Sequence, residues 1–266
     1  MNENRIITLG EVLLFINKKD GQITEEYFSN EVEIASILQK SQHNITFLTA
    51  LPKNAFGCNC EIYLENKLSD DYKIILKDGR QGLIFLEDDL AIIDRKYSAF
   101  YFSSGIDYDF MDLFKDASWF HFSIDTLTIH DDFIKTITKA LKIAKKKNIK
   151  VSVDFRSNNL YWRNVDSIKL LNSIAKKIDY LFIAKEQVID LPFGYQEKEN
   201  KEVILDLYKK LNAEVLIAFD KEKQKIYCAQ NGKLTEEDTI ISTKEKGNFE
   251  SYNKLIASFM DKELRK

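Results

Sequence analysis

A chain of 266 residues with 44% hydrophobic content is long enough to bury one large core, so the whole span 1–266 reads as a single domain. With 30% charged residues and a net charge of −3 it lacks the basic excess of a nucleic-acid binder, and no apolar run reaches membrane-spanning length. The N-terminus has neither the basic region nor the small-residue cleavage site of a signal peptide, which implies a cytoplasmic protein with no membrane or nucleic-acid partner.

In chain order, the cysteines come early. Cys58 and Cys60 lie two apart on an expected helix and face different directions, Cys228 is far away, and no C-x-x-C pair is present. Reduced thiols and no metal site follow. From Tyr72 to Phe102, short β-prone stretches separated by Asp78-Gly79 and Asp88-Asp89 read as hairpins, a small sheet set outside the main one. Beyond it the pattern becomes regular: strand Ser118–Phe122, helix Ile129–Lys147, strand Ile149–Asp154, helix Val165–Lys177, strand Tyr180–Ala184, helix Glu202–Leu211, strand Glu214–Phe219. Near-continuous apolar strands alternating with helices predict βαβ units and a parallel sheet covered on both faces. The lysines between Lys145 and Lys150 suit the solvated C-terminal end of a helix, where cations favour the dipole. His121, inside an apolar strand, reads as a core histidine.

Several segments resemble the PfkB-type, ribokinase-like carbohydrate kinases, and among them the 2-keto-3-deoxygluconate kinases. Thr8-Leu9-Gly10-Glu11-Val12-Leu13 looks like their first strand, and Thr49-Ala50-Leu51-Pro52-Lys53-Asn54-Ala55-Phe56-Gly57 like their A-L-P-x-N-x-x-G turn into a helix. Ile93-Asp94-Arg95-Lys96-Tyr97-Ser98-Ala99 resembles Y-D-R-x-x-S-A of the lid, Trp119-Phe120-His121-Phe122-Ser123 resembles W-F-H-x-S, and Val151-Ser152-Val153-Asp154 with Leu160-Tyr161-Trp162 resembles V-S-F-D…L-W. The resemblance runs almost the whole length. It implies an α/β fold: a three-layer αβα sandwich with a mostly parallel central sheet and a small antiparallel β lid, its strands inserted at about 12–30 and 72–102. It also implies transfer of a phosphoryl group from Mg-ATP to a sugar or sugar acid. A lid with an apolar face, Leu83, Phe85 and Ile92, would fit a two-fold homodimer.

The residues at the matching positions are partly altered. The G-A-G-D-S-F loop falls on Gly247-Asn248-Phe249-Glu250-Ser251-Tyr252, so Glu250 stands where the family's base is and Gly247, Asn248 and Ser251 where phosphate is held. The alternative there is an ordinary helix start, with Asn248 as cap and Phe249 in the core. N-x-x-E falls on Ala184-Lys185-Glu186-Gln187, leaving Glu186 as a shifted substitute, and T-L-G-x-x-G falls on Ala218–Lys223 without a glycine. After Glu250 the sequence suffices for one helix, where the family continues into further elements that wall the adenine. On the sugar side, G-G-A-x-A-N falls on Phe28-Ser29-Asn30-Glu31-Val32-Glu33, the lid tyrosines become Ile84 and Ile93, and Arg95 is kept. Arg156 and Asn158 stand in swapped order after Asp154, all three at substrate-contacting positions. Ion pairing of the arginines with Asp94 or Asp154 is the alternative. Two functions stay open: an ATP-dependent sugar or sugar-acid kinase, or a non-catalytic relative that binds a ligand or partner and uses no cofactor.

Overall fold

The computed structural model describes residues 4–87, 90–155, 173–185, 200–211, 213–239 and 249–266. Its framework is a sheet in the order β13-β12-β11-β10-β9-β8-β1-β4-β5. The strands are β1 (Arg5–Leu9), β4 (Ile45–Pro52), β5 (Tyr72–Lys77), β8 (Ala117–Ser123), β9 (Lys150–Asp154), β10 (Tyr180–Ala184), β11 (Val215–Asp220), β12 (Lys225–Gln230) and β13 (Lys233–Asp238). Pairing is parallel from β5 through β11 and antiparallel only where β12 and β13 extend the edge.

Alternation along the strands assigns their side chains to two layers. Ile7, Leu9, Phe120, Phe122, Leu181 and Leu216 enter one core with helices α4 (Asp131–Lys146) and α5 (Asn200–Leu211). Ile6, Trp119, Phe182 and Ile217 enter the other with α1 (Asn30–Lys40), α2 (Ala55–Leu68) and α6 (Phe249–Leu264). A short helix, α3 (Phe110–Leu113), precedes β8. The expected three-layer α/β arrangement is therefore present, with helices on both faces as right-handed crossovers in a parallel sheet require. Asn54 caps α2 by accepting from the N–H groups of Phe56 and Gly57. His121 lies wholly inside, its Nδ1 2.7 Å from Ser152 Oγ, which also accepts from Trp119 Nε1.

A second sheet, β3-β2-β6-β7, forms the lid. Its strands are β2 (Leu13–Lys19), β3 (Gln22–Phe28), β6 (Leu83–Glu87) and β7 (Leu90–Asp94), antiparallel except that β2 and β6 run parallel. The extent expected for the lid needs one correction. Tyr72–Lys77 is not a lid strand but the edge of the main sheet, parallel to β4. Its half-exposed pattern imitates a hairpin strand because an edge strand is covered less than an inner one. Asp78-Gly79 is likewise no hairpin turn. Gly79, at φ +136°, lets the chain pass Ser98 and Ala99, where a Cβ would lie 2.9 Å from the Ala99 nitrogen. No helix among the described residues is long and apolar enough to cross a membrane.

Candidate functional site

Strand order reverses between β1 and β8: from β1 the chain proceeds outward to β4 and β5, then returns to the other side of β1 as β8 and continues to β9, β10 and β11. Such a reversal opens a crevice beyond the carboxyl ends of the two strands, the usual ligand position in open α/β sheets. Here it holds a cavity of about 130 Å³, bounded by the end of β1, the start of α1, the 3-10 turn Ile124–Thr128 and the underside of the lid. That volume is room for a small ligand rather than a single water.

The lid contributes an apolar ceiling, Leu13, Phe15, Ile84 and Leu86, with Phe28 set edge-on to Phe15 at 5.4 Å between ring centroids. The walls are charged. Glu11, just past β1, is buried and accepts from Arg95 Nε at 2.6 Å and Ser98 Oγ at 2.6 Å. Arg95 Nη1 also donates to the Asp125 carbonyl at 3.0 Å, so one guanidinium joins the lid, the first strand and the 3-10 turn. Gly82 must be glycine for this network, since a Cβ there would stand 2.4 Å from Glu11 Oε1.

Glu31, in the first turn of α1, is the second buried carboxylate. Its Oε2 accepts from Ser29 Oγ at 2.8 Å and its Oε1 from the Ser123 N–H at 3.1 Å. Ser29 occupies the N-cap position yet makes no side-chain cap bond, because its hydroxyl serves Glu31 instead. Burial pushes the Glu31 carboxyl above its ordinary value, reinforced by the charge of Asp154 and opposed by the bonds from Ser123 and Ser29. Asp154, wholly buried at the end of β9, is the register partner of Ser123.

The side of the sheet that the resemblance expects to face a nucleotide differs. At the end of β10, the Lys185 ammonium lies 3.1 Å from Glu222 and 3.5 Å from Asp220. Burial works against its charge, but the two carboxylates outweigh that and raise its pKa. Asp220 also accepts from the Lys223 N–H and so closes the β11–β12 turn. Glu250 lies on the exposed flank of α6, its carboxylate 3.0 Å from Lys254, and is not among the residues that line the cleft. Ser251 is buried in the same turn, and Asn253 donates from Nδ2 to Oδ1 of Asn30, itself a lining residue of the cleft, at 3.2 Å.

Of the residues expected from sequence, Arg95 lies in the cleft and Asp154 beside it, whereas Glu250 and Ser251 lie along α6. Gly247, Asn248, Glu186, Arg156 and Asn158 fall outside the described residues. Of the alternative, ion pairing of the two arginines, the described residues show Arg95 paired with Glu11 while Asp94 pairs with Arg80; for Arg156 it lies outside the described residues. Sequence reasoning missed Glu11, Glu31 and Asp125 as cleft groups. The signal available was the replacement of the G-G-A-x-A-N glycines by a segment with a carboxylate in it. No group of three or more His, Cys, Asp or Glu side chains among the described residues is placed to hold a metal.

No family model matches the sequence and no curated protein matches it. Solved structures do. A 2-dehydro-3-deoxygluconokinase from Thermotoga maritima is 20% identical, with a TM-score of 0.76 over 96% of this chain and 87% of that one. A PfkB family carbohydrate kinase from Listeria grayi is 18% identical, with a TM-score of 0.72 over 87% and 78%. A putative ribokinase II from E. coli, in complex with ATP and Mg2+, is 13% identical, with a TM-score of 0.76 over 97% and 86%. At these identities the likeness establishes the ribokinase-like fold shared with PfkB-family carbohydrate kinases, in agreement with the resemblance read from the motifs.

Proposed function

We propose that this protein is a carbohydrate kinase-like protein that binds a sugar-sized polyhydroxylated ligand between lid and sheet. The observation that carries the reading is the cavity at the β1/β8 reversal, walled by Glu11, Glu31 and Arg95 under an apolar lid. A ring with hydroxyls at its edge and C–H groups on its faces matches such a mixture of carboxylate acceptors and aliphatic ceiling. Phosphorylation of that ligand by Mg-ATP, in the cytoplasm, is the activity suggested by the kinases that share the fold, one of them holding ATP and Mg2+. In this reading Glu250 takes the hydroxyl proton. Among the described residues the fit of Mg-ATP is incomplete: Lys185 is the cation at the expected nucleotide side, and Asp220 and Glu222 already engage it.

A second reading, binding without transfer, is favoured by Glu250, whose carboxylate is exposed and paired with Lys254. Titration calorimetry with Mg-ATP, and then with 2-keto-3-deoxygluconate added, tests both. Nucleotide binding followed by ADP formation with a sugar supports the kinase; sugar binding without nucleotide binding supports the second reading. No heat from any sugar, on a protein that melts cooperatively, excludes both.

A further inference from the structure

Charge within the cleft is unevenly distributed. Among the described residues, three acidic side chains, Glu11, Glu31 and Asp125, line it against one cation, Arg95. The guanidinium of Arg95 is held by Glu11 and the Asp125 carbonyl, so it is turned toward the protein's own acceptors. A sugar acid needs the reverse, a cation or a set of N–H donors facing its carboxylate.

The donors best placed for an anion are also in use. The start of α1 is the positive end of a helix dipole beside the cavity. Glu31 lies across it, held by Ser29 Oγ and by the Ser123 N–H at the end of β8. Gly10 is shaped to this arrangement, because a Cβ there would stand 2.4 Å from Glu31 Oε2. An internal carboxylate thus occupies the place where the carboxylate of a ligand would be received. Ionised carboxylates still have acceptor capacity beyond these bonds, which suits a donor-rich ligand.

We propose that Glu31 is a specificity-determining residue that makes the cleft refuse a sugar acid and take an amine-bearing polyol, whose ammonium lies among Glu31, Glu11 and Asp125. The proposal rests on the ligand-binding reading above and holds whether or not phosphoryl transfer follows. It replaces the 2-keto-3-deoxygluconate class of ligand with one of opposite charge.

The test is calorimetry of the full chain with glucosamine, glucose and gluconate, below the pKa of the amine, alongside Glu31→Gln. Glucosamine is expected to bind about tenfold more tightly than glucose, the gap between a charge-assisted and a neutral hydrogen bond, with gluconate weakest. In Glu31→Gln the amine preference should shrink to within about threefold, since one of the charges that sets it is gone. Asp125→Asn, across the cavity, should shrink it too and serves if Glu31→Gln does not fold. Gluconate binding as well as glucosamine, or an unchanged preference in the variants, overturns the proposal while leaving the ligand-binding reading intact. If none of the three probes binds a folded protein, that reading fails and the proposal with it.

Discussion

At Gly57 helix α2 leaves β4 so closely that a Cβ would stand 1.9 Å from the Pro52 carbonyl oxygen, a backbone atom that cannot swing aside. Gly57→Ala should therefore cost about 1–3 kcal/mol and lower the melting temperature by several degrees. Gly21, at φ +76° with nothing within 4 Å of a Cβ, offers the comparison without a clash: Gly21→Ala should cost about 1–2 kcal/mol, the strain of the left-handed backbone alone. The Glu11–Arg95 pair, 4% and 11% exposed, tests a different cost. Arg95→Leu strands a buried carboxylate and should destabilise by about 3–5 kcal/mol in urea unfolding, whereas loss of an exposed pair would cost under ~1 kcal/mol. Glu31 adds a pH dependence. Because burial raises its folded-state pKa, the folded chain binds its proton more tightly than the unfolded chain, so stability falls as pH rises from the ordinary glutamate range through the raised value. Glu31→Gln lacks that slope. Its melting temperature relative to the parent should accordingly increase from acid to neutral pH, and a constant difference across that range would count against the assignment.

Helix α6 poses the element-scale question, because it carries Glu250. The Glu250–Lys254 pair is exposed and spaced i,i+4, so Glu250→Gln should change stability by only about 0.3–0.5 kcal/mol. A large effect of this substitution on turnover would thus be chemical: loss of a general base costs about 10²–10⁴-fold, and unchanged turnover would remove Glu250 from that role. Why α6 itself was legible, but not its surroundings, follows from what a sequence records. The inner strands were read within a residue or two, since burial on both faces leaves near-continuous apolar runs such as Tyr180–Ala184. The β12–β13 hairpin was missed although Asn231-Gly232, both at positive φ, is a strong turn signal; β13 is exposed and highly charged and looks like loop, which leaves β12 without a visible partner. The edge strand β5 was misassigned for the same reason, incomplete cover. The cleft was legible only as altered motifs. That Glu31 folds back over the start of its own helix depends on Ser123, 92 positions away, and no local pattern reports a contact of that range.

The whole molecule leaves one surface whose composition asks for a partner. The lid has two faces. One, with Phe15, Ile84 and Leu86, is the ceiling of the cleft; the other carries Ile16, Leu83 and Phe85 in register with Ile92, which is 48% exposed. Among the described residues, both edges of the four-stranded lid, β3 and β7, have backbone groups on one side without a strand neighbour. An apolar face bounded by two open edges is a site for self-association unless something covers it, and a second copy related by a two-fold axis covers both lids at once. The proposed homodimer would then also stiffen the ceiling over the ligand, so that assembly and binding are linked. Light scattering at micromolar concentration should give a dimer mass for the parent chain. Phe85→Lys should shift it to monomer, because a charge at the centre of an apolar interface loses its hydration without gaining a partner. Sugar affinity should weaken in the same variant, even though Phe85 faces away from the cavity. A strict monomer for the parent would remove the dimer, and a monomeric variant with undiminished affinity would separate the lid's two faces into independent roles.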